Sequence, residues 1–159
     1  MTEPAAARKI LVACIGNPDC GDDGIGPLVA AKLEGKLPGH AALIVRRGDM
    51  LALAEDFAGC GALVCVDAAA PMGSPGQIHR IDLTTEELPG ELLSASTHGF
   101  GLAYAIELAR ALGRAPPIIV IYAVEGACFD AGAALTHAVA AATDETARLV
   151  AAEVDRLSR

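Results

Sequence analysis

Ile10-Leu-Val-Ala-Cys-Ile15-Gly-Asn-Pro-Asp-Cys-Gly-Asp22-Asp23-Gly-Ile-Gly-Pro-Leu-Val-Ala-Ala-Lys-Leu33 is the stretch that decides the fold. The apolar run Ile10 to Ile15 has the length and β-branched content of a buried parallel strand, and Gly16-Asn17-Pro18 stops it abruptly. A helix is expected to begin near Asp23. In an open α/β sheet, ligands bind in the crevice beyond the carboxyl ends of the strands, so the connecting loop occupies the functional position of such a fold. The loop does not suit an anion. Asp19, Asp22 and Asp23 would repel a phosphate, and no Lys or Arg lies between Lys9 and Lys32. Gly16, Gly21, Gly24 and Gly26 also miss the spacings of the dinucleotide and P-loop motifs. A cation or a polar, proton-exchanging substrate fits these carboxylates. A purely local reading also stands, with Asp22 as a helix N-cap and Asp23 as a first-turn acid favoured by the helix dipole.

Working outward, apolar runs alternate with amphipathic ones. Ala41 to Val45 reads as a second strand, left through Arg46-Arg47-Gly48-Asp49 into a short helix over Met50 to Phe57. Arg46 and Arg47 suit a solvated loop or a contact with a substrate carboxyl. Ala62 to Val66 is a third strand closing on Asp67, whose carboxylate would face the same crevice as the first loop. The alternative for Asp67 is an Asx-turn leading into the loop Ala68 to Pro75. Gln77 to Leu83 reads as an edge strand, and Thr84 to Ala95 as an acidic connection.

Ser94 to His98 opens a helix reaching about Leu112, with Leu102, Ala105, Ile106, Ala109 and Leu112 as its buried face. Ser96 or Thr97 would cap it, placing His98 in the first turn, where the dipole disfavours the imidazolium and keeps a neutral, metal-competent ring. Ile118 to Val124 is the last strand, followed by an exit loop carrying Glu125. A long helix, capped by Thr136, then runs to about Leu157. This alternation predicts a three-layer αβα sandwich of class α/β around a mostly parallel, about five-stranded twisted sheet. Residues 1–8 are expected to be a flexible tail and 9–159 one domain.

Composition agrees. The chain of 159 residues is 53% hydrophobic but only 3% aromatic, the make-up of a parallel sheet flanked by helices. Its net charge of −8 argues against nucleic acid or an anionic membrane as partner. No apolar run approaches the roughly 20 residues of a membrane helix. A cytoplasmic location is expected, and five cysteines without a C-x-x-C agree with it. Cys14 and Cys65 read as core thiols, whereas Cys20, in the central loop, is placed where a thiolate could bind metal. His40, His79 and His137 have no acids near them in sequence and are given no role.

The series Gly16-Asn17, Asp22-Asp23-Gly24-Ile25-Gly26, Val66-Asp67-Ala68 and Ser96-Thr97-His98 resembles the hydrogenase maturation endopeptidases over nearly the whole chain. These enzymes process the large-subunit precursor of nickel-iron hydrogenases. The resemblance implies that Asp23, Asp67 and His98 contact nickel carried by the precursor, a donor set suited to a divalent first-row metal. It also implies removal of a C-terminal extension after a basic residue. The family often has Asp-Gly-Gly-Thr where this chain has Arg-Arg-Gly-Asp, a stretch thought to help choose the partner hydrogenase. No G-x-S-x-G elbow, H-E-x-x-H or papain-type cysteine is present, and Ser94 and Ser96 lie too close to His98 along one helix start to suit a nucleophile and its base. A non-catalytic nickel-binding or carrier module and a small-substrate hydrolase are the alternatives.

Overall fold

The structure, a computed structural model, describes residues 8–47, 49–87 and 99–159. Strands β1 (Ile10–Ile15), β2 (Ala41–Arg46), β3 (Ala62–Ala69), β4 (Ile78–Asp82) and β5 (Ile118–Glu125) form one sheet in the order β2-β1-β3-β5-β4. The first four in that order are parallel, and β4 closes the edge antiparallel to β5. Helices α1 (Ile25–Leu33) and α4 (His137–Leu157) cover one face, and α2 (Met50–Asp56) and α3 (Gly99–Ala111) cover the other. The expected three-layer α/β architecture is therefore the observed one.

Strand pleating sorts the side chains between the two layers. Ile10, Val12 and Cys14 pack with Val64 and Val66 against Val29, Val150 and Val154. Leu11, Ala13 and Ile15 pack with Leu63 and Cys65 against Phe57, Leu102 and Ile106. Each fully buried aliphatic side chain contributes about 1.5–3 kcal/mol, so the two aliphatic layers hold the sheet with almost no aromatic residue. On the α4 side the buried Glu153 accepts hydrogen bonds from Tyr122 Oη at 2.9 Å, Arg80 Nε at 2.7 Å and Arg156 Nε at 2.6 Å. This cluster ties α4 to the β4–β5 edge.

The structure departs from the sequence expectations in several places. Strand β3 continues beyond Val66 to Ala69, and β5 takes in Glu125, because the ladder between them runs from Ala62–Ile118 to Ala69–Glu125. Asp67 thus lies inside its strand and not at its end, and Glu125 lies in a strand and not in an exit loop. The chain after Gly16 first makes a 3-10 turn, Gly21–Gly24, and α1 starts only at Ile25. Pro27 falls in its first turn, where a missing N–H leaves no helical bond unmade. Leu112 lies past the end of α3 and is 55% exposed, so it does not join the buried face. Among the described residues, no helix is long and apolar enough to cross a membrane.

Candidate functional site

The chain leaves β1 through α1 toward β2 on one side, while β3 lies on the other side of β1. The carboxyl ends of β1 and β3 therefore flank the switch point of the sheet, where a crevice opens. Asp23 follows β1 and Asp67 lies near the carboxyl end of β3, so both border that crevice.

The loop after β1 is shaped by backbone demands. Gly16 has φ +151°, and a methyl there would overlap the Asp23 carbonyl. A methyl on Gly26 would lie on the Ile15 carbonyl oxygen, so α1 can approach β1 this closely only with glycine. The Asn17 N–H donates to Asp23 Oδ2 at 2.7 Å, and the Asp19 N–H donates to Asn17 Oδ1 at 2.9 Å. The Gly-Asn pair thus turns the chain back so that the buried Asp23 closes over its own strand end.

The two adjacent acids do different work. Asp22 is fully buried and accepts from the N–H groups of Ala127 at 2.7 Å, Cys128 at 3.1 Å and Thr136 at 2.7 Å, and from the Thr136 hydroxyl. Burial alone would push its carboxyl up, but the amides of Ala127, Thr136 and Cys128 together with the Thr136 hydroxyl hold it below the usual carboxylate range. Asp22 is therefore not an N-cap of its own helix. It joins the 3-10 turn to the exit of β5 and to the start of α4. Thr136 does precede α4 as expected, but its hydroxyl serves Asp22 and not its own helix.

Asp67 is buried on the sheet face that carries Leu63 and Cys65, the side covered by α2 and α3. Its Oδ1 accepts from the Ala68 N–H at 2.8 Å, and its buried Oδ2 has no hydrogen-bond partner among the described residues. Burial, then the charge of Asp23, raise its carboxyl well above the usual range, with the Ala68 amide opposing them. Asp23 and Asp67 are thus close enough to feel each other's charge. Two acids sharing a dry crevice favour a bound cation or a shared proton. His98, with Ser94, Ser96 and Thr97, lies outside the described residues. Helix α3, on the same face as Asp67, begins one residue beyond His98. Among the described residues, no three His, Cys, Asp or Glu side chains are grouped closely enough to hold a metal.

The other sequence candidates are placed as follows. Arg46 is held by Asp56 of α2, with Nε at 2.7 Å and Nη2 at 3.1 Å, so it belongs to the packing of β2 on α2. Arg47 is exposed, 3.7 Å from Asp19. Cys14 and Cys65 are buried; burial pushes the Cys14 thiol up to about 12, and burial, with Asp67 and the neighbouring thiols behind it, holds Cys65 well above its ordinary value. Neither supplies a thiolate at neutral pH. Cys20 is a half-buried free thiol. Sequence reasoning missed the part played by Asp22, whose partners lie more than a hundred residues downstream. It also left Glu125 in a loop, whereas the side chain is buried at the end of β5 and its Oε1 lies 3.9 Å from His79 Nε2. Its only local signal was its place at the end of the apolar run of β5.

Fold and site together define an α/β protein with a carboxylate crevice at the switch point of its sheet. The family model for HycI, hydrogenase maturation protease, matches residues 48–153, two thirds of the chain, and the chain belongs to that family. The match includes Asp67 and His98, while Asp22 and Asp23 precede it. Solved structures agree in fold. The chain is 24% identical to a solution structure of an endopeptidase from Escherichia coli, covering 93% of each chain with a TM-score of 0.82. It is 24% identical to the hydrogenase maturating endopeptidase HybD from E. coli, again covering 93% of each chain, with a TM-score of 0.75. It is 23% identical to the [NiFe] hydrogenase maturation protease HybD from Thermococcus kodakarensis, covering 95% of this chain and 99% of that one, with a TM-score of 0.73. A comparison with curated protein sequences gives no match.

Proposed function

We propose that this chain is the endopeptidase that removes the C-terminal extension of a nickel-loaded hydrogenase large-subunit precursor, acting in the cytoplasm. Asp23, Asp67 and His98 meet the nickel of the substrate. The observation that carries this reading is Asp67 Oδ2, a buried carboxylate oxygen without a hydrogen-bond partner among the described residues. A buried polar atom left in this state is costly unless something completes it, and a divalent cation does so more strongly than water. Family membership supports the protease activity, and the acidic character of the loop after β1 supports a cationic group in the substrate. The metal belongs to the substrate, so the residues on this side have to orient it and hold the scissile carbonyl near it. A nickel on that carbonyl's side would act as a Lewis acid or as a source of activated water.

The test mixes the protein with nickel-loaded and nickel-free precursor and follows the precursor by intact mass, with Asp23→Asn and His98→Ala as controls. Loss of a C-terminal peptide from the loaded form alone, abolished in both variants, is the expected result. Equal cleavage of both forms would remove the role given to nickel. Metal binding without cleavage would favour a carrier module.

A further inference from the structure

The loop between β3 and β4 begins three residues beyond Asp67. From Ala68 to Gln77 the chain carries no charge, although its net charge is −8. Met72, near the loop's tip, is 57% exposed. A lone exposed apolar side chain is ordinary on a protein surface; the manner in which this loop is fastened is not. Glu125, buried at the end of β5, accepts a hydrogen bond from the Ser74 N–H. Its own N–H donates to the Gln77 carbonyl at 2.9 Å, and its carbonyl accepts from the Gly76 N–H at 2.7 Å. Gly76 has φ +87°, and a methyl there would press on the Ala138 carbonyl, so the loop is also seated against the first turn of α4.

Burying a carboxylate to fix a chain reversal is unfavourable unless the fixed conformation is needed. An exposed loop held still at the border of a site, presenting an unbranched and adaptable apolar side chain, has the properties of a contact surface. The ten consecutive residues Ala68 to Gln77 offer no charge for a charged segment to pair with, so what the loop can hold is an apolar contact through Met72. We propose that the Pro71–Gly76 loop binds an uncharged, apolar stretch of the precursor polypeptide next to the cleaved bond. Met72 is the contact and Glu125 the positioning residue. This rests on the endopeptidase reading above.

Steady-state cleavage of nickel-loaded precursor, with precursor affinity measured separately by interferometry, tests it in Met72→Ser, Glu125→Ala and Glu125→Gln. Met72→Ser is expected to raise KM and Kd about fivefold or more while kcat stays within about twofold and Tm is unchanged. Glu125→Ala should raise KM likewise, and Glu125→Gln, whose amide oxygen still accepts from the Ser74 N–H, should restore it. Unchanged KM and Kd in Met72→Ser would overturn the proposal, and this variant decides alone if Glu125→Ala does not fold. If wild type cuts no precursor, the endopeptidase reading fails by itself; the Kd then decides the loop, with weaker binding by Met72→Ser supporting it and equal binding refuting it.

Discussion

Replacing Asp67 with asparagine is expected to stabilise the protein while ending its activity. The amide oxygen of the substituted side chain can keep the hydrogen bond from the Ala68 N–H, so the one partnered oxygen of Asp67 loses nothing. The change removes a buried acid whose carboxyl is raised by burial and by the charge of Asp23. Wild type meets this penalty in a defined pH window. A carboxyl raised in the folded state binds its proton more tightly there than in the unfolded chain, so its contribution is fully present below the unfolded pKa of about 3.9 and is lost as pH rises through the folded value. Asp67→Asn lacks that loss. The variant should therefore match wild type in acid and exceed it increasingly toward neutral and alkaline pH. Relief of one unfavourable buried acid at a functional site is worth about 2 kcal/mol, in the range of single stabilising substitutions. For a chain of this size that corresponds to a rise in Tm of about 4–8 °C. Thermal unfolding followed by circular dichroism from about pH 4 to pH 8 measures it. An equal or lower Tm for Asp67→Asn at neutral pH would mean that the carboxylate is satisfied within the fold, and the reasoning about its unpartnered oxygen would be wrong.

Asp22→Asn should behave in the opposite way, costing about 3 kcal/mol at neutral pH because an amide cannot accept the same set of N–H groups. Since the carboxyl of Asp22 is depressed, its contribution is present above the unfolded pKa and is lost as pH falls through the folded one, so wild type and variant should converge in strong acid in urea titrations. Gly26→Ala should cost about 3 kcal/mol or more, read as a lowered urea midpoint, because its methyl would strike the backbone of β1 and not a movable side chain. Arg46→Ala should cost under about 1 kcal/mol, given a side chain 40% exposed, and leave precursor cleavage unchanged; a clear loss of cleavage would return Arg46 to the substrate.

How much of this could be read from sequence depends on the range of the forces involved. Buried parallel strands announce themselves because both faces are dry, and Ile10–Ile15, Ala62–Val66 and Ile118–Val124 are unbroken apolar runs. The polar ends of β3 and β5 do not announce themselves, since Asp67 and Glu125 belong to strands only through the backbone ladder joining them. Leu112 continues the apolar spacing of α3, but that helix ends at Ala111 and leaves the next side chain exposed. Asp23 and Asp67 were legible as site candidates because both follow unbroken apolar runs. The roles of Asp22 and Asp23 were not distinguishable, because what separates them is a set of amides far along the chain.

That separation explains how an acidic crevice is held open. Unshielded carboxylates repel one another and tend either to take up protons or to move apart. Here Asp22 stays ionised because backbone amides surround it, and by gripping the exit of β5 and the start of α4 it fixes the 3-10 turn that carries Asp23. Asp23 in turn is fixed by the Asn17 amide, and the strand pairing of Asp67 with Ala123 fixes the third acid. The carboxyl groups of Asp23 and Asp67 therefore cannot relax apart, and their mutual repulsion is relieved only by a proton held on Asp67 or by a bound cation. A neutral peptide supplies neither, whereas on the function proposed above the substrate's nickel would. On the same proposal, selectivity for a metal-loaded precursor would then come from the rigidity supplied by Asp22 as much as from the acids proposed to meet the metal.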